Sequence, residues 1–292
     1  MSGQTGSSPP QDPAGGPLRA EDLVSQLTEH YGATLFLGVH SASDTLARLE
    51  ARGVPARLEE LGFGPLHLDI GAQLPEGQTL RVYHEAANPD ALLMEFRLRL
   101  QDIAPALRLA SVAPLQTMRF LRVEWALLQN PRAEFMPDRP RLPDQRHPGL
   151  GIGHEVSAFL DALAKEHRLD GLLFFPQHYH NAALYSQRYV FFHPARQGAH
   201  EAMMRDLKER ALADRSFAID GGFLRRGKSG APAEWSPSEM IRPLSRRLEE
   251  IIRSRFWWRE ARAARKGTRW RIDWKEYERW RATEERAAES GR

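Results

Sequence analysis

The sequence predicts an α+β fold: a mixed, mostly antiparallel central sheet flanked by helices, with a helical C-terminal extension. Three observations carry this expectation. Leu92–Leu100 (LLMEFRLRL) sets Leu92, Met94, Phe96, Leu98 and Leu100 against Glu95, Arg97 and Arg99, the alternation of a half-buried antiparallel strand. His154–His167 places Val156, Phe159, Leu160 and Leu163 on one helical face. From Pro243 the chain turns basic and helical, with Trp270, Trp274 and Tyr277 recurring at i, i+4 and i+7.

The remaining elements follow in order. Met1 to Pro17 is rich in Gly, Ser, Pro and Gln, and residues 1–19 read as a flexible leader. Ala20–Tyr31 carries Leu23, Val24 and Leu27 as a short amphipathic helix, and Ala33–Val39 is strand-like. Ser43–Leu61 reads as helix interrupted near Gly53-Val54-Pro55. Strands are expected at Pro65–Ile70, Thr79–Tyr83 and, as the central one, Met118–Leu128. Pro131–Pro148 holds five prolines and no periodicity, hence an extended loop. Beyond the helix at 154–167 come a short buried strand at Gly171–Phe175, a helical turn at Asn181–Gln187, a strand at Tyr189–Phe192 and a helix at His200–Leu212. Phe217–Gly230 reads as turns around a short hairpin. Residues 20–240 form the expected domain and 241–292 its tail.

Composition excludes whole classes. The chain has 292 residues, 41% hydrophobic and 9% aromatic, enough for a core and unlike a wholly disordered chain. No run approaches the apolar length of a membrane span, and mean hydropathy is −0.53. With no cysteine, disulfides, thiolate metal sites and cysteine nucleophiles are ruled out. The leader has neither a basic nor an apolar signal region, so a cytoplasmic location is the default expectation. The formal net charge of +3 is uneven. Arg242–Arg292 holds 16 basic and 9 acidic residues, so the basic character belongs to the tail.

The segment most informative for chemistry runs from Met118 to His193. A strand leads to Arg146-His147-Pro148-Gly149-Leu150-Gly151-Ile152-Gly153, then to a helix, a buried strand and Asn181-Ala182-Ala183-Leu184-Tyr185. Glycines at a helix mouth let backbone N–H groups turn toward an anion, and the helix N-terminus adds partial positive charge. The alternative is that they only make the turn. A dinucleotide fold would need a parallel βαβ near the start of its sheet and an acidic residue ending the next strand. Here that strand ends in Pro176-Gln177. There is no Gly-x-Ser-x-Gly elbow and no Gly-Lys-Ser/Thr phosphate loop.

Arg146-x-x-Gly149-x-Gly151 between a long strand and a helix, followed by a buried strand and the Asn181–Tyr185 motif, resembles the GNAT-type N-acetyltransferase superfamily. The resemblance implies an N-acetyltransferase-like fold with acetyl-CoA or another acyl-CoA as co-substrate and no metal. It implies cofactor contacts from Leu128, Arg146, His147, Gly149, Leu150, Gly151, Ile152, Gly153 and Asn181. Tyr185 becomes the general acid for the departing thiolate, and Glu124 the base for the attacking amine. His180 and His178 would line the acceptor pocket, and one of them would serve as base instead of Glu124. The acceptor would be a small-molecule or peptide amine. Tyr185 also reads as an amphipathic core residue with a wet hydroxyl.

Seven of the eleven histidines lie between His147 and His200. A His178-x-His180 pair can bind metal when a strand points both rings one way, with Asp170, His193 or Glu155 as third ligand. Hydrogen-bonded loop histidines are the favoured reading. In the tail, Arg interleaved with Trp suits a nucleic-acid surface or an acidic membrane face. The favoured reading packs the tryptophans onto the body or a sister subunit, a homodimer through the C-terminal helices, with nucleic acid the lesser alternative. Two functional classes result: an acyl-CoA-dependent N-acyltransferase, or a non-catalytic binding or scaffold protein on the same fold whose tail meets a protein partner or nucleic acid.

Overall fold

A computed structural model describes residues 34–103 and 117–290. The expected leader and the Ala20–Tyr31 helix lie outside the described residues. The Ala33–Val39 strand is not formed where it is described. Leu37 and Gly38 take positive φ (50° and 77°), and the chain turns so that Phe36 bridges back to His40. Ser41 then caps α1 (Ala42–Glu50) in a reciprocal box with Asp44. Gly53, at φ 74°, breaks the helix, and α2 (Val54–Glu60) resumes with Pro55 in its first turn.

Four antiparallel strands form one half of the main sheet: β1 (Leu66–Leu74), β2 (Gly77–His84), β3 (Leu92–Ile103) and β4 (Met118–Leu128). The register places Leu80 opposite Phe96 and Val82 opposite Met94, so their apolar faces coincide. After a long loop come α3 (Gly153–Glu166) and β5 (Gly171–Phe174), which pairs parallel with β4. Next are α4 (Tyr179–Tyr185), β6 (Val190–Phe191), α5 (Pro194–Asp206) and α6 (Leu212–Asp220). The helix expected at His200–Leu212 thus starts earlier and ends at Asp206, and α6 occupies the start of the expected hairpin. The hairpin itself is β7 (Leu224–Arg226) with β8 (Ala231–Pro232).

The tail is woven into the body. β9 (Met240–Pro243) lies between β5 and β6, giving the sheet order β1-β2-β3-β4-β5-β9-β6. The boundary expected at 240/241 therefore falls inside a strand of the main sheet. α7 (Arg246–Arg253) and α8 (Arg255–Gly267) follow, then β10 (Trp270–Ile272), paired with β7, and α9 (Trp274–Ser290).

Each face of the main sheet has its own core. On one, Leu80, Phe96, Leu98, Leu121, Leu172 and Met240 pack with Leu49 of α1, Leu58 of α2 and Phe159 and Leu163 of α3. On the other, Phe120, Leu173 and Ile241 pack with Leu248, Ile251, Trp257 and Ala261 of α7 and α8. Trp257 is fully buried, and its indole N–H donates to the Phe192 carbonyl at 3.1 Å. α8 crosses α5 so closely that a Cβ on Gly198 would lie 2.0 Å from the Ala261 carbonyl oxygen. Neither backbone can yield without separating the helices. Gly198→Ala is therefore expected to lower stability by about 1–3 kcal/mol or more in urea unfolding. An unchanged midpoint would show that α8 is not docked here.

Candidate functional site

β4 and β5 share a ladder over only four residues, from Phe120↔Gly171 to Val123↔Phe174. β4 then runs on to Leu128, keeping β3 as its partner on the other side. A bulge marks the parting: Val123 pairs with Leu98 and Trp125 with Arg97, leaving Glu124 as the extra residue. The two strands thus form a split that opens toward their C-terminal ends. Trp125 on its β4 side is 49% exposed.

The long loop leaves this opening and returns to it. Asn130, just beyond β4, donates its N–H to the Pro148 carbonyl at 2.7 Å, which brings Gly149 beside Leu128. Leu150 and Ile152 are buried and anchor the turn, while Gly149, Gly151 and Gly153 stay exposed. Gly151 holds φ 74°, a conformation that favours glycine. Ile152 caps α3 without a side-chain hydrogen bond, and the helical ladder starts with Val156 N–H to the Ile152 carbonyl. The first-turn amides have no intrahelical acceptor and carry the positive end of the helix dipole. Arg146 is exposed and His147 half-buried near this turn.

Beside α3 lies a cleft of about 520 Å³ lined by His154, Ala158, Asp161, Arg188, Arg242 and Pro243. Arg188 reaches His154 Nδ1 at 2.9 Å, and Arg242 pairs with Asp161.

α4 brings Tyr185 over the end of β5. Its ring meets Phe174 edge-on at 5.3 Å and Tyr189 at 5.9 Å. Two-fifths of Tyr185 is exposed, while the rings around it desolvate the phenol and hold its pKa above the ordinary value. Asn181 is half-buried on the same helix, one turn earlier. Glu124 is differently placed from the free carboxylate a base requires: it is ion-paired with Arg99 and, at 2.8 Å, with Arg122.

The histidines at the start of α4 take part in a bridge that sequence reasoning missed. His178 Nδ1 lies 2.6 Å from Asp220 and Nε2 2.8 Å from Asp144, so the ring pins the long loop to the end of α6. His180 stacks on His178 at 5.3 Å. It is 5% exposed, its Nδ1 has no hydrogen-bond partner, and burial, aided by the charge of His178, lowers its pKa to about 4. The partners considered for a metal are engaged elsewhere. Asp170 binds Arg247, Glu155 faces Arg57 at 3.8 Å, and His193 accepts the Ala195 N–H at 3.3 Å. Among the described residues, no group of three or more His, Asp or Glu side chains is arranged to hold a metal ion.

His200 was also unforeseen. It is boxed by Tyr179, Phe191 and Trp235, neither ring nitrogen has a partner, and burial lowers its pKa to about 4. No family model, curated protein or solved structure gives a significant match to this chain.

The two buried rings, His180 and His200, set a pH dependence. Both titrate near 6.5 when unfolded and near 4 when folded. Between these values the unfolded chain binds more protons. Stability is therefore expected to fall as pH drops from about 6.5 to about 4, by a few kcal/mol per ring. His200→Leu should remove its own ring's share of that fall, about a few kcal/mol, in urea unfolding across this pH range. A wild-type pH slope in the variant would contradict burial as its cause.

Proposed function

We propose that the chain is an acyl-CoA-dependent N-acyltransferase of the GNAT type, transferring an acyl group to an amine by direct attack on the thioester. The observation that carries this reading is the split between β4 and β5, with the glycine turn of α3 tethered at its mouth. An extended pantetheine arm needs a strand edge with free backbone groups, and β4 beyond Val123 offers one. A pyrophosphate needs backbone amides at a positive helix end, and the exposed turn Gly149–Gly153 lies at the start of α3. The cleft that begins at the first turn of α3 offers Arg188 toward the phosphate-bearing half of the cofactor, Arg242 being paired with Asp161.

In the reaction, the amine nitrogen bonds to the thioester carbon, the carbon–sulfur bond breaks, and the thiolate takes a proton from the Tyr185 hydroxyl. A phenol with a raised pKa remains protonated at neutral pH and can supply that proton. Neither expected base is poised for its part. Glu124 is neutralised by two guanidiniums, and His180, at about 4, is a weak base. The amine proton goes to water at the open end of the split. The pairing of Glu124 also favours a second reading, a non-catalytic acyl-CoA-binding protein on the same fold.

Gly153 is the position at which to test this. A Cβ there meets nothing within 4 Å and φ is not left-handed, so Gly153→Glu adds a carboxylate at the mouth without strain. Calorimetric titration should show saturable acetyl-CoA binding, weakened at least about tenfold in this variant by the added charge at the helix end. Absence of binding in the wild type, or unchanged affinity in the variant, would contradict the reading. Tyr185→Phe should keep binding while thiol release with an amine panel falls at least about a hundredfold. Binding without any thiol release in the wild type would select the non-catalytic alternative.

A further inference from the structure

The tail helix α8 has two opposed faces. Trp257, Ala261 and Ala264 recur at i, i+4 and i+7 and turn inward; Trp257 and Ala261 are buried, and Ala264 is half-buried beside Gly198. On the opposite side Arg255, Arg259, Arg262 and Lys266 recur at spacings of four, three and four, and all four are exposed. At 100° per residue they fall within an arc of about 60°, a straight row about 17 Å long. Among the described residues, Arg255, Arg262 and Lys266 have no carboxylate partner, and Arg259 has only its neighbour Glu260 at 3.8 Å. On α7, by contrast, Arg246 pairs with Glu250 and Arg253 with Glu249. Arg265 of α8 faces Glu201 at 3.8 Å, but the outward row is left largely uncompensated, whereas the arginines of α7 are paired.

We propose that this row binds the phosphate backbone of a nucleic-acid duplex. A linear set of four exposed cations, three of them without a carboxylate partner among the described residues, calls for a linear polyanion. A duplex carries one negative charge about every 1.7 Å of its axis, a linear density of anions that a straight row of cations matches. A membrane surface is less suited, because the apolar face of α8 is spent on α5 and the main sheet and cannot enter lipid. Trp257 of this helix points inward and holds the Phe192 carbonyl, so its ring is not offered to bases. Binding is therefore to phosphates, with little sequence preference.

The test is fluorescence anisotropy of a labelled mixed-sequence DNA duplex across a salt series. It compares the full-length protein, Arg255→Gln/Arg259→Gln/Arg262→Gln/Lys266→Gln, and the control Arg246→Gln/Arg253→Gln. Four phosphate contacts should give a slope of log K against log salt of about −3.6. The quadruple variant should bind at least about tenfold more weakly with most of that slope lost, while the control behaves as wild type. Circular dichroism of the quadruple variant should match the wild type, since none of the four side chains enters the core. The proposal is overturned if the wild type does not bind duplex or if the quadruple variant binds as tightly. It is equally overturned if polyglutamate or phosphatidylserine vesicles are bound in preference. Acetyl-CoA titration of the quadruple variant should be unchanged, which separates this result from the acyltransferase reading.

Discussion

Asp170 fixes the geometry on which the rest of the sheet depends. It stands immediately before β5 and is 3% exposed. Its N–H donates to the Arg119 carbonyl at 2.7 Å, and its carboxylate accepts the Arg119 N–H at 2.9 Å, locking β5 onto β4. The same carboxylate takes the Ser245 hydroxyl at 2.7 Å and the Arg247 guanidinium, while its carbonyl accepts the N–H groups of Leu244 and Ser245. The β9–α7 junction is thereby held against the start of β5. Burial alone would raise this carboxyl's pKa, but the hydrogen bonds from Arg247, Ser245 and Arg119 outweigh it and hold the group below the ordinary carboxylate range. Its contribution to stability is therefore present at neutral pH and is lost only as pH falls below that range. One end of the β4/β5 pair is clamped; the other, past Val123 and Phe174, parts and leaves a backbone edge.

Much of this was legible in the sequence because the signal was local. The alternation of Leu92–Leu100 and the apolar run of Met118–Leu128 gave β3 and β4, and the helical period of 154–167 gave α3 within a residue or two. Ala33–Val39 misled because a short apolar run carries no period that separates strand from buried turn; positive φ at Leu37 and Gly38 decides it. β9 was invisible for the same reason. Four residues, the last a proline, show no alternation, and the Asp170 clamp with pairing to β5 and β6 makes them a strand.

The candidate site divides along similar lines. Glycines at a helix mouth and a tyrosine on the next helix are short-range patterns, and the fold sets Gly149–Gly153 at the mouth of the split and Tyr185 over the end of β5. The ion pairs of Glu124 come from residue types that every surface strand carries, so sequence could not distinguish a free base from a neutralised one. Asp144 and Asp220, which hold His178, lie 34 and 42 residues away from it. Their convergence is a property of the fold.

If acetyl-CoA occupies the split and the glycine turn as one continuous site, both are protected together. Amide hydrogen exchange with and without acetyl-CoA tests it most directly, since exchange reports opening at individual backbone groups. Slower exchange is expected at Leu150–Glu155 and along Glu124–Leu128 together, with β1 and β2 unchanged. Slower exchange confined to other segments, or none at saturating ligand, would contradict it.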